Sequence, residues 1–133
     1  MLQFVPINRQ YFLSDTMATQ ADCYKLVQQV VTARDRFCRA PGCSALSSAG
    51  HHIFPRARLA TAFCPQYIIG LCAACHIGWA HGRPEEFLQW VVSWMGEGNY
   101  YAALRLSNTV VKSQDYDQIA AGLRNTLLLY ASE

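Results

Sequence analysis

Residues 36–84 read RFCRAPGCSALSSAGHHIFPRARLATAFCPQYIIGLCAACHIGWAHGRP, and this stretch decides the fold. It holds all four histidines of the chain and five of its six cysteines. Four of these cysteines form two close pairs around the dipeptide His51-His52. The pairs are Cys38 with Cys43 and Cys72 with Cys75. Four thiolates complete a tetrahedral shell around zinc, so the spacing predicts a structural zinc site that joins the two ends of the stretch.

Composition limits the classes of protein that this chain can belong to. The 133 residues are 52% hydrophobic and only 15% charged, which favours one folded domain over a disordered chain. The chain has no apolar run of about 18 residues, so we expect no membrane span. The first residues lack the pattern of a secretory signal, so we expect an intracellular, cytoplasmic protein. Cysteine pairs in that compartment favour metal over the alternative, disulfide bonds, and Cys23 and Cys64 should be free thiols.

Two short strands are predicted between the cysteine pairs, at residues 51–54 and 67–71. They would form a hairpin held by zinc. Successive side chains of a strand point to opposite faces, so His51 and His52 cannot easily do the same task. One can hold a metal while the other faces a substrate.

Helices are predicted on both sides of the hairpin. The first would be capped by Asp15 or Thr16 and end near Ala33, and another would begin near Cys75 and end at Gly82. The remaining predicted helices are Pro84–Met95, whose aromatic stripe we expect in the core, a short one over 99–107, and a last one capped by Ser113.

The segments RDRFC-RAPG-C, HHIFPR and PQYIIGLCAACH resemble the HNH endonuclease family, over about residues 33–95. Small HNH proteins common in phage genomes are the most similar. The resemblance implies an α+β protein with the ββα-metal (treble-clef-like) fold, in which a zinc-bound hairpin and helix are flanked by an N-terminal helix and by C-terminal helices. The chain would be one domain, 1–133, with an HNH core at 33–95 and a C-terminal helical extension at 96–133.

The resemblance also implies a role for each histidine. His52 would activate a water molecule, while His51 and His76 would bind one catalytic divalent metal, Mg²⁺, Mn²⁺, Ni²⁺ or Zn²⁺, separate from the structural Zn²⁺. His81 is the candidate for a further ligand. His81 lies five residues after His76, so the two would be about 140° apart on an ideal helix. This separation favours a position of His81 next to the metal site without direct coordination. A bulge at Gly78 would remove the separation and allow His81 to coordinate the metal.

One position departs from the family pattern. Tyr67 stands where the family has an Asn that braces the metal loop and orients the base. A tyrosine has no amide, so Tyr67 enters the catalytic set as a residue expected to limit activity.

Charge favours a polyanion as the partner. Residues 36–84 contain five arginines and no acidic residue. Arginine binds phosphate by paired hydrogen bonds, and Arg56, Arg58 and Arg83 are the candidates for contacts to the DNA backbone. The predicted function is hydrolysis of DNA phosphodiester bonds with low sequence specificity, in a phage-encoded protein made in a bacterial host.

Two alternatives stay open at this point. The chain could be a catalytically weak or silent HNH-fold zinc module that binds DNA or a protein, or a purely structural zinc protein. A protein partner or self-association would then use the C-terminal helices.

Overall fold

The computed structural model describes residues 17–131 and confirms a mixed α+β protein. Its sheet has two antiparallel strands, β1 (Ala49–His52) and β2 (Ile68–Leu71). The helices of this range are α1 (Gln20–Arg34), α2 (Leu59–Ala62), α3 (Ala73–Cys75), α4 (Pro84–Met95), α5 (Glu97–Ser107) and α6 (Tyr116–Ala131). A 3-10 turn (Pro65–Tyr67) precedes β2, and a π-helical turn (His76–His81) continues α3. No helix within 17–131 is long and apolar enough to cross a membrane.

Helix α1 begins later than the sequence predicted. Thr19 is its N-cap: the hydroxyl accepts a hydrogen bond from the backbone N–H of Asp22 at 3.1 Å, and the Asp22 carboxylate accepts one from the N–H of Thr19 at 2.9 Å. This reciprocal capping box satisfies two backbone donors at the start of the helix. The predicted caps, Asp15 and Thr16, lie outside the described residues.

The hairpin has the predicted partners with shifted bounds. The first strand was predicted at residues 51–54, but β1 ends at His52. The N–H of Ile53 still donates to the carbonyl of Tyr67 at 3.0 Å, after which the backbone bends and buries Phe54 in the core. Tyr67 belongs to the 3-10 turn and not to the second strand.

Helices α1 and α6 pack on each other and against the sheet. They bury an aliphatic cluster made of Val27, Val30, Val31, Ile68 and Leu123. Asp115, rather than the predicted Ser113, caps the last helix, because its Oδ1 accepts the N–H of Gln118 at 3.0 Å. The aliphatic cluster fixes α1 behind β1, which matters for the site described below.

Helix α4 has the predicted bounds, but its aromatic stripe is only partly core. Phe87 and Val91 are buried, whereas Trp90 is half-buried and Trp94 is 42% exposed. The rings of Trp90 and Trp94 stack in parallel with centroids 5.4 Å apart. The stripe therefore begins in the core and ends at the surface.

Gly96 turns the chain from α4 into α5 with a φ of +91°, a conformation that favours glycine. Helix α5 begins at Glu97, two residues before the predicted start. The predicted helix in this part of the chain is confirmed.

Asp35 accepts hydrogen bonds from three parts of the fold. This carboxylate is 4% exposed and accepts two hydrogen bonds from Arg34, at 2.7 and 3.0 Å, one from Arg39 at 2.8 Å and one from the N–H of Gly70 at 2.9 Å. Burial opposes its ionisation, but these hydrogen bonds and the two positive charges outweigh it, so the pKa of Asp35 lies below its usual value. Helix α1, the first cysteine loop and β2 are thereby joined at one group.

We expect Asp35→Ala to lower the free energy of unfolding by about 3 kcal/mol, because it leaves two arginines and a backbone N–H without their partner. Urea unfolding of the zinc-loaded protein measures this. Glu86→Ala is the control. It removes an ion pair to Arg83 in which both side chains are 60% exposed, and it should cost less than about 1 kcal/mol. Equal effects of the two variants would contradict the role given to Asp35.

Candidate functional site

The four paired cysteines converge as predicted. Cys38 and Cys43 lie on the loop between α1 and β1, where the N–H of Cys38 donates to Ala45 and that of Cys43 donates to Ala40. Cys72 caps α3 by accepting the N–H of Cys75 at 3.4 Å. The loop before β1 and the turn after β2 therefore meet at one point.

The distances among the sulfurs suit zinc. All four Sγ atoms lie within 4.8 Å of one another, and those of Cys43 and Cys72 are 3.8 Å apart. Sulfurs at about 2.3 Å from a tetrahedral zinc stand about 3.8 Å from each other. The cysteines are free thiols and not disulfides, so this cluster could bind a structural metal such as zinc.

The remaining two cysteines are also free, as predicted, and lie apart from the cluster. Cys23 is buried and its thiol donates to the carbonyl of Tyr116 at 3.4 Å. Cys64 is half-buried and donates to Ala60 at 3.7 Å.

A bound cation would favour ionisation of the clustered thiols. The hydrogen bond from the N–H of Cys75 lowers the pKa of Cys72 to about 7. Burial and the neighbouring thiols raise the pKa of Cys75 to about 12, and burial raises that of Cys38. Without a cation, Cys72 ionises more easily than Cys38 or Cys75, because a further negative charge beside it would be repelled. A bound zinc ion removes this limit and lets all four ionise.

A π-helical turn brings a second group of metal-binding side chains together. His76 and His81 are five residues apart, and the wider turn between them brings their Nε2 atoms to 3.1 Å. Gly82 makes this turn possible, since a Cβ there would lie 2.8–2.9 Å from the carbonyl oxygens of Gly78 and Ile77. The separation of about 140° expected for an ideal helix therefore does not occur between these two histidines.

His51 completes this group from β1. Its ring centroid lies 5.1 Å from that of His76 and 4.8 Å from that of His81, and one nitrogen of each histidine lies within 4.8 Å of the others. Phe87 packs edge-on against it at 4.9 Å. Burial, and then the neighbouring histidines, lower the pKa of His51 to about 4, so the ring is neutral at pH 7 and can donate a lone pair. Three nitrogen ligands of this kind suit a divalent metal that keeps positions open for other ligands.

His52 points away from this trio, as strand geometry predicts. Its Nε2 lies 2.9 Å from the carbonyl oxygen of Ala62. A carbonyl can only accept, so Nε2 carries the proton and Nδ1 keeps a free lone pair. Burial lowers the pKa of His52, and the charge of Arg56 lowers it further. The ring is therefore a neutral base at pH 7 whose tautomer is fixed by the backbone.

The trio and His52 share one surface cavity of about 480 Å³. Of the predicted DNA-binding arginines, Arg56 lines it, whereas Arg58 and Arg83 lie outside its lining. Arg58 donates to the buried hydroxyl of Ser107 at 3.1 Å, and Arg83 contacts the carbonyl of Gly78. The structure therefore brings together four histidines and one of the three arginines.

The structure does not bring Tyr67 to the cavity. Its ring packs edge-on against Phe54 at 5.9 Å and belongs to the core. Tyr67 was predicted as a catalytic-site residue that limits activity. Its effect on activity stays a prediction, and its side chain has a packing role in the turn before β2.

Sequence reasoning missed the wall that α1 contributes to the cavity. Neither Tyr24 nor Gln28 was predicted as a site residue, and both line the cavity. Ala62, whose carbonyl binds His52, carries no functional side chain and gave no signal. A polar Gln one turn after Tyr24, on the face that packs towards the hairpin, was the available clue.

Comparison of the chain with protein-family models, with curated proteins and with solved structures gives no match. The chemistry of the site therefore has to be argued from its own geometry.

We expect one Zn²⁺ per chain, bound by the four cysteines. Cys72→Ser or a strong chelator should unfold or precipitate the protein, because the hairpin is too small to be stable without the metal. Elemental analysis with circular dichroism tests this. Cys64→Ser is the matched control and should keep the full zinc content. Folded wild-type protein without zinc would refute the expectation.

Proposed function

We propose that this protein is a metal-dependent endonuclease of the HNH type that hydrolyses DNA phosphodiester bonds with low sequence preference. The observation that carries the proposal is the division of labour between adjacent histidines. His51 faces two further histidines as a potential metal ligand, while His52 faces the same cavity as a neutral base with a fixed tautomer.

His51, His76 and His81 would hold the catalytic metal. A divalent cation bound there supplies charge stabilisation to a phosphate oxygen and to the leaving oxygen. The neutral state of His51 suits this task, because a protonated imidazole cannot coordinate a metal. Edge-on packing of Phe87 against the ring restricts its rotation.

His52 would act as the general base. Its Nδ1 accepts the proton of the attacking water, and the Nε2–H continues to donate to Ala62 while the ring is positively charged. The carbonyl therefore holds the ring in place and stabilises the imidazolium that forms. The lowered pKa keeps the base unprotonated at neutral pH.

Arg56 would bind the phosphate backbone at the edge of the cavity. Among the side chains that line the cavity, it is the one with a permanent positive charge. Its binding partner would be phosphate rather than a base, and such contacts carry no sequence information. The absence of acidic residues from 36 to 84 favours DNA of any sequence.

We expect His52→Ala to lower plasmid cleavage by about 10²- to 10⁴-fold while leaving metal and DNA affinity nearly unchanged, because only the base is lost. His51→Ala should weaken binding of the second metal, with partial rescue at higher metal concentration. Cleavage with Mg²⁺, Mn²⁺, Ni²⁺ and Zn²⁺, and calorimetric titration of the zinc-loaded protein, separate the two effects.

Two outcomes would change the assignment. Wild-type cleavage by His52→Ala would exclude His52 as the base. No cleavage with any metal, together with salt-dependent DNA binding, would favour the alternative of a DNA-binding zinc module.

We expect Arg56→Ala to weaken DNA binding about equally for unrelated sequences and to reduce the slope of log affinity against log salt by about one. Arg36→Ala is the matched control, since Arg36 is exposed and lines a different groove beside Tyr130. Fluorescence anisotropy over a salt series measures both variants. Loss of binding to one sequence only would indicate base recognition and contradict the backbone contact.

A further inference from the structure

Helix α1 contacts the chain on both sides of the dipeptide His51-His52. Tyr24 and Gln28 are one helical turn apart, so they lie on the same face of α1. Gln28 contacts the backbone of Gly50, directly before His51, and Tyr24 contacts Arg56, four residues after His52. The two contacts bracket the residues that line the cavity.

The contact of Gln28 is paired and uses the whole carboxamide. Its Nε2 donates to the carbonyl of Gly50 at 3.0 Å, and its Oε1 accepts the N–H of Gly50 at 2.6 Å. Gly50 stands opposite Gly70 in the hairpin, and the backbone groups of Gly70 are bound to Asp35 and Arg39 on the far side. The N–H and C=O of Gly50 therefore face outward, and Gln28 binds them as a neighbouring strand would.

Close packing makes this contact rigid. A Cβ on Gly50 would lie 2.8 Å from Ile68 Cγ2 and 3.1 Å from Val31 Cγ1. The strand thus rests directly on α1 and on the aliphatic cluster beneath it. Movement of β1 away from α1 would break two hydrogen bonds and open this packing.

Tyr24 likewise makes two contacts, both of them with Arg56. Its hydroxyl donates to the backbone carbonyl of Arg56 at 2.6 Å, and its ring lies under the guanidinium, with Cζ 4.2 Å from the centroid. The ring packs on Phe63 behind it, with centroids 4.7 Å apart. Tyr24 therefore fixes both the backbone and the charged end of Arg56, and a guanidinium over an aromatic face keeps its edge for an anion.

We infer that Gln28 and Tyr24 are positioning residues: Gln28 holds β1 so that His51 meets the other two histidines, and Tyr24 holds the Arg56 guanidinium at the mouth of the cavity for a phosphate group. The inference rests on the proposed function. Neither residue would touch the reacting atoms. Helix α1, outside the hairpin and its metals, is then part of the working site.

The test of Gln28 compares two neighbouring glutamines. Gln28→Leu should weaken Mn²⁺ binding to the zinc-loaded protein by about tenfold or more, the range seen when a group that orients metal ligands is lost. Gln29→Leu should leave it unchanged, since Gln29 lines a groove on another side of α1. Zinc content should stay at one per chain in both. Unchanged Mn²⁺ affinity in Gln28→Leu would overturn the inference.

The test of Tyr24 separates its hydroxyl from its ring. Tyr24→Phe keeps the ring under Arg56 and should retain the wild-type salt slope of DNA binding, whereas Tyr24→Leu should lose about one unit of slope, as Arg56→Ala does. The double variant Tyr24→Leu/Arg56→Ala should be no weaker than Arg56→Ala alone. Additive losses would show that Tyr24 acts independently of Arg56 and would overturn this part.

The experiments distinguish a wrong functional assignment from a wrong role for Gln28. If wild-type protein neither binds Mn²⁺ nor cleaves DNA, the nuclease assignment is wrong. Hydrogen exchange of the backbone amides then tests whether Gln28 holds β1 in place. Faster exchange at Gly50 and His51 in Gln28→Leu than in Gln29→Leu would still support its hold on β1. Equal exchange in the two variants would refute it.

Discussion

Four sulfur atoms from two distant segments meet at one point, and a metal ion bound by them would hold the hairpin in place. Cys38 and Cys43 precede β1, and Cys72 and Cys75 follow β2, so the cluster closes the open end of a hairpin of four residues per strand. A two-stranded hairpin of this length is marginal in water without further support. A metal ion bound by the cluster would provide this support. Asp35 adds a second connection a few residues away by accepting hydrogen bonds from Gly70 and from both flanking arginines. The histidines lie on β1 and on the π-helical turn, which are next to the cysteine cluster and to Asp35.

The parts of this arrangement that depend on residue type and spacing could be predicted from the sequence. Cysteine spacing gave the convergence of the four thiols, strand alternation gave the opposite directions of His51 and His52, and Pro84 with Gly96 gave the bounds of α4. These features are local, so a pattern of a few residues specifies them. The start of α1 was misplaced because a capping box at Thr19 competes with earlier polar residues that look equally suitable.

The parts that depend on tertiary packing could not be predicted. The π-helical turn that unites His76 with His81 is not encoded by periodicity, which assumes an ideal helix. The binding of His52 to the carbonyl of Ala62 involves a backbone group that any residue would supply. The contribution of Tyr24 and Gln28 depends on how α1 packs behind β1, and that follows from the aliphatic cluster shared with α6 rather than from either residue.

Burial acts on the two adjacent histidines in the same direction but prepares them for different chemistry. It lowers the pKa of each, so both rings are neutral at pH 7. His51 lies beside two other imidazoles, and the three rings can offer their lone pairs to one cation. His52 has a carbonyl on one nitrogen, so its other nitrogen is free for a proton. Desolvation alone would produce two equivalent neutral rings. Their neighbours distinguish them, because a ring beside other imidazoles can share a metal with them, whereas a ring that donates to a carbonyl keeps its other nitrogen as a proton acceptor. One step along a strand thus gives two adjacent rings different chemical capacities.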